Sequence, residues 1–253
     1  MNLIEKITEP TFTNSSKGLL TLFCIGLFQF AIGVDLTSTE VTIPWLPSIN
    51  FPHIERITYL YWALVAFSLY RYSLHHFPVM RMHYFLAMGR FFRVDKRGED
   101  FIGQEILSGE LAYRVSVLDD EDSQPSIKIE HYQHGDQDWE LMCEFEFVFN
   151  QDFTLDKIKF SENPNYQIDE IALRKTKNQQ KWGLQRFVDD EGNKEMESAS
   201  IKDSMLANYL RLGVMRNYFK TFLSSKDVFD LLIPIVLNVA LFLVWLIIVL
   251  FAA

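Results

Sequence analysis

Four clusters in this chain carry side chains able to do chemistry. In "HYQHGDQD", His131, His134, Asp136 and Asp138 are nitrogen and oxygen donors close enough in sequence to ligate a divalent metal. A polar hairpin loop uses the same residue types, and that is the reading adopted. "DDED", Asp119 to Asp122, offers carboxylates but lacks the glycine and distal glutamate of a calcium loop, so it reads as a solvated turn. Arg71 and His76 stand at the R-x4-H spacing of an RNA-cleaving pair, although an arginine snorkelling from a membrane-helix end explains Arg71 more simply. Trp139, Phe145 and Phe147 fall on one side of an alternating strand and are candidate ligand-facing residues, weighed against ordinary core packing. No phosphate-binding glycine loop, metalloprotease helix or nucleophile elbow occurs. No catalytic residue, cofactor or metal is therefore assigned, and a lipid- or nucleotide-directed enzyme would have to draw on His75, His76, His83 and His131.

The elements that would position these groups are strongly segregated. Gly18 to Val34 is uncharged over 17 residues, the lower end of what a bilayer asks of a helix. Its sequel "VDLTST" lacks a small-x-small cleavage site, which favours a retained helix over a signal peptide. Ile57 to Tyr70 is shorter, with Arg56 and Arg71 able to snorkel at its ends. Leu231 to Ala253 is uncharged for 23 residues and is the strongest transmembrane signal. Between the first two runs, "IPWLPSINFPHI" reads as a stiff interfacial connection, with Pro44, Pro47 and Pro52 stopping helix and Trp45 at the headgroup level. Gln29 and Asn238 are amides inside apolar runs and are expected to bond across helix interfaces.

Residues 77–98 read as an interfacial amphipathic helix, Arg90, Arg93 and Arg97 on one face and Phe85, Met88 and Phe92 opposite. From there the pattern changes to period two. "ELAYRVSV", "SIKIEHY", "WELMCEFEFVF", "DKIKF", "QIDEIAL" and "KWGLQRFV" read as short strands separated by turn chemistry. "SIKDSMLANYLRLGVMRNYFKTFLSS" is helical, with Ser200 and Asp203 as a capping box. It has an apolar stripe through Ile201, Met205, Leu212, Met215, Phe219 and Phe222, with Arg216 and Lys220 on another face.

The expected fold is an α+β membrane protein. Residues 1–76 hold a transmembrane hairpin (helices about 18–35 and 55–75), and residues 77–98 the interfacial helix. Residues 99–196 form an antiparallel β meander closed as a small barrel or sandwich. Residues 197–226 are an amphipathic helix and 227–253 a C-terminal transmembrane helix. Lysine and arginine gather after the second run and before the third, which places the β domain in the cytoplasm. From Glu99 to Glu195 there are 23 acidic residues against 10 basic ones, which disfavours nucleic-acid binding. Two cysteines, Cys24 and Cys143, suit a reducing compartment and no disulfide framework.

In outline, "FCIGLFQFAIG" and "ITYLYWALVAF" followed by the strands resemble the small membrane effectors of bacterial anti-phage systems of the CBASS and retron types. That resemblance implies an inner-membrane protein whose cytoplasmic domain binds a protein or small-molecule signal. Its helices would then oligomerise, as a pore-forming effector, within membrane lipid. The third helix departs from the two-helix layout of that group. The alternative is a non-enzymatic accessory or scaffold subunit of a larger membrane complex.

Overall fold

The computed structural model describes residues 10–31, 40–41, 49–50, 56–109, 111–119, 124–134, 139–163, 171–188 and 194–252. Along the chain run α1 (Pro10–Gly26), a π-helical turn (Leu27–Ala31), β1 (Glu40–Val41), β2 (Ile49–Asn50), α2 (Arg56–Val94) and α3 (Lys96–Glu105). Then follow β3 (Arg114–Leu118), β4 (Ser126–His134), β5 (Trp139–Phe149) and β6 (Leu155–Glu162). A 3-10 turn (Ala172–Arg174), α4 (Thr176–Trp182), β7 (Gln185–Val188), β8 (Lys194–Ser198), α5 (Ser204–Ser224) and α6 (Lys226–Ala252) complete it. They form two compact units, Met1–Phe77 with Phe222–Ala253, and Pro78–Thr221.

The second unit is built on one antiparallel sheet in the order β3-β4-β5-β6-β8-β7. Strict alternation sets its two faces. One row across the sheet, Val117, Ile127, Phe147 and Ile158, is apolar, as is Val115, Ile129, Phe145, Phe160 and Met196. Between them lies Ser116, Lys128, Glu146, Lys159 and Glu197. Ile127, Ile129, Phe145, Phe147, Ile158 and Phe160 are fully buried. Each such side chain contributes on the order of 1.5–3 kcal/mol relative to exposure.

Among the described residues the sheet is open, neither closing into a barrel nor packing on a second sheet, contrary to expectation. Alternation specifies that a face is apolar but not what covers it, and here helices do. Phe85, Met88, Phe91 and Phe92 of α2, Phe101 and Ile102 of α3, and Leu206, Leu210 and Val214 of α5 share one core with the strands. The Phe92 ring stacks on Phe147 at 5.4 Å, and Phe85 meets Phe149 edge-on at 5.0 Å. Trp182 closes the end of this core against Phe145 at 4.9 Å and donates its indole N–H to the Glu105 carbonyl at 3.1 Å. The apolar side of the expected interfacial helix is thus spent on the sheet.

Other boundaries also move. The helices expected at 55–75 and 77–98 are one 39-residue helix that carries Pro78 internally. The break comes at Asp95, whose extended backbone (φ −88°, ψ 125°) ends α2 and whose carboxylate caps α3 by accepting from the Arg97 N–H at 3.0 Å. The described part of "QIDEIAL" is a 3-10 turn rather than a strand, and β8 rises from "KEMES", which looks like turn sequence. At α5 it is Asp203, not Ser200, that caps, accepting from Met205 N–H at 2.7 Å and Leu206 N–H at 3.1 Å.

In the first unit, β1 and β2 pair antiparallel; Pro44, Trp45, Pro47 and Pro52 lie outside the described residues. Among the described residues α6 alone is long and apolar enough to cross a membrane, with a mean hydropathy of 2.9. The apolar stretch Ser16–Phe30 is shorter, and the start of α2 is diluted by Arg56, Arg71, serine and tyrosine, so a second span is not shown.

Candidate functional site

The most specific polar chemistry in the first unit is a clasp of three side chains onto helix carbonyls. Asn238, fully buried in the middle of α6, donates through Nδ2 to the Leu19 carbonyl of α1 at 3.0 Å and to Pro234 in its own preceding turn at 2.8 Å. The Tyr61 hydroxyl of α2 donates to the Leu22 carbonyl, one turn along α1, at 2.7 Å. The Tyr72 hydroxyl, eleven residues later and therefore on the same side of α2, donates to the Leu231 carbonyl of α6 at 3.0 Å. Each pair among α1, α2 and α6 is tied by one such bond.

An aromatic cluster fills the space beyond the clasp. Phe30 stacks on Trp62 at 5.4 Å, and Trp62 meets Phe242 and Trp245 at 5.1 and 5.3 Å. The helices are in tight contact at Gly26, where a Cβ would collide with the Tyr61 hydroxyl and sit 2.6 Å from Leu241. Two polar atoms of this region, Trp62 Nε1 and Asn238 Oδ1, are buried without a hydrogen-bond partner.

Of the residues singled out from sequence, Asn238 donates to the Leu19 carbonyl of α1, while Gln29 is half-buried in the π-helical turn. Arg71 is exposed on α2. Arg90 and Arg93 are exposed near the end of α2, but Arg97 belongs to α3, beyond the break, so the three do not share a helix. Phe145 and Phe147 are fully buried and Trp139 is 63% exposed at the tip of β5, so these three do not line one pocket. Trp139 instead lies 5.4 Å from the His134 ring across the strand pair.

In the first unit His75 and His76 are neighbours at 4.8 Å; in the second, His131 is buried in β4 and hydrogen-bonds the Ala112 carbonyl. Asp136, Asp138 and Asp120 to Asp122 lie outside the described residues. Among the described residues no group of three metal-ligating side chains occurs.

In the second unit, Asp95 is the residue that sequence reasoning missed. Besides capping α3, its carboxylate accepts from Asn217 Nδ2 at 3.1 Å and Lys220 Nζ at 3.3 Å, both on α5. Burial pushes this carboxyl up, but the hydrogen bonds from Arg97, Asn217 and Lys220, with the Lys220 charge, outweigh it and hold the group below its ordinary value. An aspartate immediately before "KRGE" is a capping signal; its α5 partners, more than a hundred residues away, leave no local trace.

The outward face of the sheet is a charge ladder. Lys128 lies 2.9 Å from Glu144 and 3.6 Å from Glu146, and Glu197 lies 3.2 Å from Lys157 and 3.7 Å from Lys159. Burial alone would lower Lys128, but the bond to Glu144 and the charge of Glu146 raise it above its ordinary value. Burial pushes the Cys143 thiol up to about 12, which makes it an inert core residue. Beside Asp95 a groove of about 650 Å³ is lined by residues that include Arg93, Lys96, Glu99, Asp100 and Tyr113, a mixture of signs that selects no ligand charge.

These arrangements provide helix association and surface charge; the described residues bring no nucleophile, base and oxyanion donor together. Comparison with protein-family models, curated proteins and solved structures finds no match for this chain.

Proposed function

We propose that the protein is a membrane-anchored sensor or effector. In this reading α6 spans the bacterial inner membrane and α1 and the first half of α2 are held to it. The cytoplasmic sheet unit binds a signal or partner, and copies of the chain assemble to perturb the membrane in anti-phage defence. The observation that carries the reading is Asn238. An amide fully buried in a helix of mean hydropathy 2.9 is costly in lipid unless it holds another helix, and it reaches the Leu19 carbonyl. The many apolar side chains that α6 leaves exposed, Leu243, Ile247 and Leu250 among them, suit an acyl environment and no aqueous one.

The test is membrane potential, followed with a voltage-sensitive dye in bacteria expressing the full chain, a chain ending at Lys226, or Asn238→Leu. Depolarisation by the full chain that is lost without α6 and reduced by Asn238→Leu is the expected result. A chain that stays inert under every co-expressed candidate trigger, and is degraded unless a partner protein is present, would replace this reading with that of an accessory subunit.

A further inference from the structure

Helix α5 is apolar on two opposite sides. Leu206, Leu210 and Val214 are buried in the core of the second unit. Away from the core Met205, Leu212 and Phe219 stand 80%, 70% and 55% exposed, and Tyr209, 47% exposed, stacks on Phe101 at 5.9 Å on the edge of that face. Steps of four, three and seven residues run these side chains along one line of a helix. Of the stripe expected from sequence, Met205, Leu212, Met215 and Phe219 are exposed whereas Ile201 packs against the core, and Arg216 lies beside the exposed line on the helix. A continuous apolar strip of this kind marks a contact surface.

Two features choose the occupant. The first is charge: α5 contains no aspartate or glutamate, and its exposed charges are Arg211, Arg216 and Lys220, in a chain of net charge −9. Lys220 is already paired with Asp95; a second copy laid on the stripe would bring Arg211 and Arg216 against their own kind, whereas an anionic leaflet complements them. The second is continuity. Ser225 alone separates α5 from α6, so along the chain the C-terminal end of α5 leads directly into the membrane-length helix.

We propose that α5 docks its outer stripe at the headgroup–acyl boundary of an anionic leaflet. Met205, Leu212 and Phe219 enter the acyl edge, Tyr209 sits at the headgroup level, and Arg211 and Arg216 contact lipid phosphates. This rests on anchorage by α6 and is independent of the effector reading.

The test uses the full chain with Cys24→Ala and Leu212→Cys, labelled at residue 212 with an environment-sensitive fluorophore; Cys143 is buried and stays unlabelled. It is reconstituted into vesicles of phosphatidylcholine alone or mixed with phosphatidylglycerol. In the anionic vesicles the label should be quenched by brominated acyl chains and protected from aqueous iodide. Each basic residue near such a surface shifts the balance about fivefold, so Arg211→Glu with Arg216→Glu should lower the docked-to-free ratio about thirtyfold or more. A label open to iodide in anionic vesicles while the chain resists carbonate extraction overturns this proposal alone. Protection that persists in detergent, with energy transfer between labelled copies, overturns it in favour of self-association. Extraction by carbonate overturns anchorage as well.

Discussion

Replacing Asp95 by alanine removes three interactions of unequal worth. Loss of the α3 cap costs about 1 kcal/mol. Loss of the bond to Asn217 costs at most about 1 kcal/mol, less if Asn217 relies on its remaining bond to the Gly213 carbonyl at 3.2 Å. The Lys220 ammonium is 54% exposed, so its pair with Asp95 adds no more than roughly 0.5 kcal/mol after screening. The sum is about 2 kcal/mol, borne by the cap and the buried amide rather than by the ion pair. In the detergent-solubilised full chain, amide hydrogen exchange in β5 should accelerate about thirtyfold in Asp95→Ala and less than about threefold in Lys220→Ala. The pH dependence has a definite sign. The folded carboxyl lies below its ordinary value of 3.8, so its contribution is fully present above that value and is lost as pH falls through the lower, folded one. The difference between wild type and Asp95→Ala should therefore be flat from near neutrality down to about pH 5 and shrink below pH 4. Equal effects of the two substitutions, or a penalty that persists unchanged in acid, would refute the idea that the cap and Asn217 hold α3 and α5 together more strongly than the Lys220 pair does.

Two further outcomes follow from burial and close approach. Gly26→Val should separate α1 from α2 and α6, because its new Cβ meets the Tyr61 hydroxyl and Leu241, and should lower the thermal stability of the purified chain. Gly18→Val, with nothing within 4 Å of its Cβ, should not; equal melting of the two variants would show that the contact at Gly26 is not limiting. Maleimide should modify exposed Cys24 in detergent but leave Cys143 untouched until denaturant unfolds the sheet unit, since that thiol is buried and held near 12. Modification of Cys143 in the native chain would mean that β5 opens locally.

What the sequence disclosed was periodicity. The two faces of β4 and β5 could be read from Ile127, Ile129, Phe145 and Phe147 against Lys128, Glu144 and Glu146, because alternation is a local property of a strand. The layer covering that face was not legible, because Phe92 on Phe147 and Leu210 in the same core are long-range choices. The boundary expected between residues 75 and 77 does not occur: α2 runs on through Pro78, and the real stop is Asp95, whose side chain offers the next helix a better start. The clasp was half legible. Asn238 stands out as an amide in an apolar run, but Tyr61 and Tyr72 look like two more aromatic residues in an aromatic run until their spacing is matched to carbonyls on neighbouring helices.

Phe91, fully buried in the sheet unit, faces two glycines in different ways. Its ring lies 2.5 Å from where a Cβ on Gly213 would be, whereas at Gly98 the obstacle is the Phe91 backbone carbonyl. The two glycines therefore have different mutational futures. A smaller residue at 91 opens space for alanine at 213, so those positions can drift together, provided the ring shrinks before the glycine grows. No change of side chain at 91 relieves position 98. Suppressor selection on a Gly213→Ala background should return substitutions at Phe91, and the same selection on Gly98→Ala should return none there.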